Sequence, residues 1–190
     1  MQSTDPNLQK RLLGRYRVAM LLFIAGLVVS GLTAFPLLYE LRLIAALLGI
    51  PPDAAYLDYT GFPYWIAYVR EGLETTRRDY PFLAYGTDWL AFGHLVIALF
   101  FFGPLFQPAQ HTWILVCGII ACLTLPLVAL ICGPIREIPL GWRLIDCSFG
   151  ALGLIPLVYC LLVNQKLKRL STIAPHPDSS PSDLSANGSP

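Results

Sequence analysis

Trp113–Cys132 reads WILVCGIIACLTLPLVALIC, twenty consecutive residues without a charged side chain. A helix rising 1.5 Å per residue covers about 30 Å over that length, the thickness of a bilayer's hydrocarbon core. Three further apolar stretches of 18 to 20 residues accompany it: Val18–Phe35, Trp89–Phe106 and Leu144–Val163. No water is available inside a bilayer to satisfy backbone amides, so a continuous helix is the expected structure of each. The expected fold is therefore all-α and polytopic. It is a four-span transmembrane bundle with spans at about 18–35, 87–106, 113–132 and 144–163 inside a membrane domain covering 18–170.

Composition agrees. Apolar residues make up 55% of the chain and charged residues 13%, about half the charged share of a typical soluble domain. The net charge of +1 and the lack of a dense basic stripe argue against nucleic acid as a partner. The placement of charge is more informative. All three lysines, Lys10, Lys166 and Lys168, flank the first and last spans, and with Arg11, Arg15, Arg17 and Arg169 they make seven of the thirteen basic residues. The positive-inside rule then puts both termini in the cytoplasm, as an even number of spans requires. The expected location is a bacterial inner (plasma) membrane. The first apolar stretch is too long for a signal peptide, and Val29-Ser-Gly31 is a poor cleavage site, so it reads as an uncleaved span.

Around the spans, residues 1–17 form a basic cytoplasmic lead-in. Gly26, Ser30 and Ala34 make a small-residue stripe along span one, of the kind that permits close helix approach. Pro36 interrupts the chain before Leu37–Ile50, which is better read as a separate surface helix than as a continuation of span one. Ten of the 23 aromatic residues lie between Tyr56 and Trp89, within and beside an expected outer loop at 51–86. Inside that loop Phe62, Trp65, Ile66, Val69 and Leu73 recur at helical spacing, with Arg70, Glu71, Glu74, Arg77 and Arg78 assigned to the opposite face. The pattern predicts an amphipathic helix lying in the outer interface. An aromatic belt accounts for most of these tyrosines, and a lid over an outward-facing pocket is the functional alternative. Residues 171–190, rich in Ser, Pro, Asp and Asn, read as a disordered cytoplasmic tail. Its sequon at Asn187 falls on the side where glycosylation does not occur.

Polar groups near the spans collect at the outer end. Asp146 is the foremost candidate, because a carboxylate within a span is costly and normally has a partner. Arg143, one helical turn earlier, is the expected ion-pair partner, and a structural anchor is the plainer role of the two. His94 and Asp88 on span two follow. A hydrogen-bonded packing role suits His94 best, since the chain has no second intramembrane histidine to complete a bis-histidine haem site. Cys132 and Cys147 flank the short connection between spans three and four, and a disulfide between them is possible on an oxidising face. The other cysteines read as packing residues. No Walker loop, dinucleotide fingerprint, nucleophile elbow or zinc motif is present, and the sequence names neither a cofactor nor a metal. Three readings of function follow. The first is an accessory or scaffold protein presenting its aromatic outer loop to another membrane protein. The second is a binding or transport protein for a lipid-like or small organic ligand held by Asp88, His94, Arg143 and Asp146. The third is a membrane enzyme using Asp88, His94 and Asp146. In all three, the lipid bilayer is the constant partner.

Overall fold

A computed structural model describes residues 6–173. Residues 1–5 lie outside this range. So does the expected tail from 174 on, with His176 and Asn187. Among the described residues the protein is all-helical, with no strand. The helices are α1 (Pro6–Ala34), α2 (Leu37–Leu47), α3 (Gly61–Asp79), α4 (Tyr85–Phe100), α5 (Phe102–Phe106), α6 (Thr112–Ile135) and α7 (Leu140–Ile173). Four segments are long and apolar enough to cross a membrane: Asn7–Ala34, Pro81–Phe106, Thr112–Ile135 and Leu140–Leu170. Large apolar side chains such as Leu22, Leu99, Ile131 and Leu162 are exposed on them, a pattern costly in water and natural in lipid.

Prolines set several boundaries. Phe35 and Pro36 form a turn that separates α2 from α1, and the Glu40 amide donates to the Pro36 carbonyl. The second expected span is not one uninterrupted helix. It breaks at Phe101 between α4 and α5, because the ring of Pro104 conflicts with the carbonyl four residues earlier, at Phe100. Two helices end in the same hydrogen-bonded cap. After α2, Ile50 N–H reaches Ala45 O at 2.9 Å and Gly49 N–H reaches Ala46 O at 3.1 Å, with Gly49 at φ +71°. After α6, Ile138 N–H reaches Gly133 O at 2.9 Å and Glu137 N–H reaches Pro134 O at 3.1 Å. Glu137 holds the left-handed position there, φ +58°, where glycine is the usual residue.

The described residues divide into two compact units, residues 6–20 with 104–173 and residues 21–103. In the first unit α6 and α7 form an antiparallel hairpin through the turn at 136–139. Two glycines let these helices touch. Gly133 lies under the Arg143 side chain, and Gly150 lies against Cys122 O, where an added Cβ would come within 2.6 Å of the oxygen. Pro126 has no N–H to offer that carbonyl, and the missing side chain at Gly150 is what lets α7 come this close to it. Near the other end, the Tyr16 hydroxyl donates to Pro104 O at 2.9 Å, and Cys160 Sγ approaches Tyr16 O at 3.6 Å.

In the second unit the later part of α1 packs on α4. Gly31 is buried there, and a Cβ on it would lie 3.0 Å from Ala91 O and 3.1 Å from His94 Cβ. Gly26, part of the small-residue stripe, is exposed with no atom within 4 Å of an added Cβ. The close approach within this unit is therefore made at Gly31 and not at Gly26. Phe23 and Phe101 meet edge to face at 4.7 Å. α2 packs against α3, and Arg42 on α2 bonds Glu74 on α3 at 2.8 Å. At the C-terminal end of α3, Arg78 hydrogen-bonds Asp79 and holds its carboxyl below the usual range; both groups are exposed, so this pair contributes little to stability.

These contacts predict the effects of three substitutions. Gly150→Leu forces α6 and α7 apart and lowers stability by about 1–3 kcal/mol, whereas Gly26→Ala is neutral or mildly stabilising. Glu137→Gly relieves a left-handed residue and raises stability by roughly 0.5–1 kcal/mol. Equilibrium unfolding in mixed micelles measures all three, and a Gly150→Leu protein as stable as wild type refutes the packing account.

Candidate functional site

Each polar residue singled out from the sequence has a definite local setting. Asp88 lies in the first turn of α4, where a carboxylate faces the positive end of the helix dipole. His94 lies six residues further along the same helix, about 9 Å along its axis, and its Nδ1 is 2.8 Å from Leu90 O. A carbonyl only accepts, so Nδ1 is the donor in this contact. The ring therefore bonds its own helix while its Cβ packs beside Gly31.

Arg143 and Asp146 do not form the expected pair: neither takes part in the ion pairs Arg42–Glu74 and Arg78–Asp79. The Arg143 side chain runs across α6 over Gly133, and its buried Nε has no hydrogen-bond partner. That path draws the guanidinium away from its own helix. The contacts of Gly133 with Arg143 and of Gly150 with Cys122 set the hairpin register, which places Asp146 alongside residues 126–132. That stretch is apolar except for Cys132. Asp146 is half-buried, with no hydrogen bond or ion pair among the described residues. Cys132 and Cys147 are separate thiols, the first exposed and the second half-buried, so no disulfide closes the hairpin. No three His, Cys, Asp or Glu side chains gather as a metal centre requires, among the described residues.

Two polar centres went unnoticed in the sequence. The first is Arg70, assigned to the polar face of α3 but buried at 4% exposure. Its guanidinium donates to Pro51 O at 2.9 Å and Ala54 O at 3.1 Å. The fork of an arginine suits two carbonyls at once, so the loop after α2 is latched onto α3. The second is Asn164, 1% exposed on α7. Its amide donates to Pro108 O at 2.8 Å and to Thr112 Oγ1 at 2.9 Å, and Lys168 Nζ reaches the same hydroxyl at 2.8 Å. Asn164 Oδ1 is buried and unpartnered. Proline at 51 and 108 was the available signal for both, since it marks irregular backbone whose carbonyls need donors from elsewhere.

The Arg70 latch orders an aromatic cluster. Tyr56, in the 3-10 turn Tyr56–Asp58, meets Tyr64 and Tyr68 edge-on at 5.7 and 5.2 Å. Tyr64 stacks on Tyr68 at 6.0 Å, and Trp65 lies 5.7 Å from Tyr68. Leu57, Phe62, Tyr80, Phe82 and Tyr85 remain exposed around this segment. It is the densest built feature of the second unit that is not a span, and the best candidate for recognition.

Set against protein-family models, curated proteins and solved structures, the chain finds no match in any of the three.

Removing the latch tests how much of this surface depends on it. Arg70→Met leaves Ala54 O without its donor and Pro51 O with only the Ala54 amide at 3.2 Å, and Arg70→Lys restores the charge without the fork. Hydrogen exchange of residues 51–59 should accelerate by about ten-fold or more in both, since a hydrogen bond from a charged group contributes about 1.5–3 kcal/mol. Unchanged protection in Arg70→Met shows that the loop is held by other contacts.

Proposed function

We propose that this protein is a multi-pass integral membrane protein of the accessory or scaffold type, which presents the α2–α3 segment and its aromatic cluster to another membrane protein. The carrying observation is Arg70. A buried arginine bonded to two loop carbonyls fixes a non-spanning segment whose large apolar side chains stay exposed. Ordering loops costs conformational entropy, and aromatic side chains on a fixed frame are the usual anchors of protein interfaces. In this reading the basic residues flanking α1 and α7 hold both termini in the cytoplasm of a bacterial inner membrane. The α2–α3 segment then lies at the outer face, with α3 as an amphipathic helix in the interface.

A second reading is favoured by one observation. Asp146 is a carboxylate in a potential span without a partner among the described residues, and such groups commonly serve a ligand or a proton. In that reading Asp146, with Arg143, Asp88 and His94, supplies polar contacts to a lipid-like or small organic ligand; in a third, Asp88, His94 and Asp146 are the acid–base groups of a membrane enzyme.

Photo-crosslinking in native membranes separates these readings. A photoreactive residue at Leu57 or Phe82 should give one reproducible protein adduct, weakened several-fold by Arg70→Met, while the same probe at the lipid-facing Leu162 gives none. Lipid adducts alone at Leu57 and Phe82 rule out the interaction reading. If that happens and Asp146→Asn alters a transported or bound solute, the second reading takes its place.

A further inference from the structure

Gly72 opens a gap in the side-chain cover of α3. A Cβ built there meets nothing within 4 Å, and the gap continues into a groove of about 450 Å³ between α3 and the turn at Tyr56–Asp58. Tyr56, Tyr68, Val69, Glu71, Leu73 and Thr75 line it with Gly72. The groove is open, but its aromatic wall is fixed: Tyr68 is braced edge-on by Tyr56 and stacked by Tyr64.

The electrostatics of this groove are one-sided. Aromatic faces carry negative potential, and Glu71 adds a full negative charge with no ion pair among the described residues. The cations nearby are engaged elsewhere. Arg42 bonds Glu74, Arg78 bonds Asp79, and Arg70 is buried on the Pro51 and Ala54 carbonyls. Arg77, nine residues on from Tyr68, lies half a turn round the helix from it. An anion is repelled here. A small hydrated metal ion finds a single carboxylate and two apolar walls. The group that fits both the walls and the charge is a cation with an apolar shell.

We propose that this groove binds an alkylated ammonium group, such as a choline-type lipid headgroup or a free quaternary amine, with Tyr56 and Tyr68 giving cation–π contact and Glu71 the counter-charge. Only the local geometry of α3 is used, so the site does not depend on the side of the membrane that α3 occupies or on a protein partner.

The test uses the full-length chain in nanodiscs of phosphatidylglycerol, titrated with choline and with its uncharged isostere 3,3-dimethylbutan-1-ol, binding being read by ligand-observed NMR. Choline should bind about ten-fold more tightly than the alcohol. Glu71→Gln and Tyr68→Leu should each weaken it by about two- to five-fold, the scale of an exposed cation–π or ion-pair contact. Gly72→Leu should abolish binding without loss of stability, because its side chain enters open space. In phosphatidylcholine nanodiscs, lost choline binding identifies the lipid headgroup as the occupant, and retained binding identifies a soluble amine. Equal binding of the alcohol, choline binding unchanged in Gly72→Leu and Glu71→Gln, or no choline binding in phosphatidylglycerol discs each overturns the proposal.

Discussion

Backbone carbonyls without a helical donor organise this protein. Proline creates them. Pro126 offers no N–H to Cys122 O, and Pro108 offers none to Pro104 O. In a dry interior an unmet carbonyl is costly, so the fold brings something to each. The Tyr16 hydroxyl reaches Pro104 O and the Asn164 amide reaches Pro108 O, while Cys122 O has the close approach of the Gly150 backbone, a packing contact that brings no N–H or O–H donor. Outside the spans, Arg70 does the same for Ala54 O and adds a second donor to Pro51 O, which also accepts from the Ala54 amide. These contacts join segments as far as 88 residues apart in sequence, and they fix packing that apolar surfaces alone leave free to slide.

This division of labour bears on function. Most polar groups that look reactive in isolation are occupied with holding the chain. His94 bonds its own helix, Asn164 and Lys168 share Thr112, and Arg70 is a latch. The polar groups left over differ in kind. Asp146 lies in an apolar stretch of the hairpin, whereas Glu71 lies beside tyrosine rings at an open groove. Recognition at the α2–α3 segment therefore has more built structure behind it than chemistry inside the spans.

The first unit also has polar structure where the sequence drew attention elsewhere. Reading acidic residues alone directs attention to the ends of the spans near Asp88 and Asp146. The Tyr16, Asn164, Thr112 and Lys168 contacts contain no acid and were invisible to that criterion. The Lys168 ammonium is exposed, whereas the groups that reach Pro104 O and Pro108 O are a neutral hydroxyl and a neutral amide, which carry no charge to desolvate.

From the sequence alone, the all-helical class and the four segments able to cross a membrane were legible, because both follow from local length and hydropathy. The separation of α2 from α1 was legible for the same kind of reason, the proline at 36. The break in the second span was equally local, at Pro104, but was masked by the surrounding run of phenylalanine and leucine. Tertiary structure decided the rest. Arg70 belongs by spacing to the polar face of α3, and only the return of the loop at 51–54 makes it buried. Arg143 and Asp146 are one turn apart and read as a pair, and only the absence of a side chain at Gly133 lets the arginine leave. The physical reason is that spacing along a helix fixes which residues share a face, whereas the partner of a charged side chain is fixed by what the rest of the chain brings to that face.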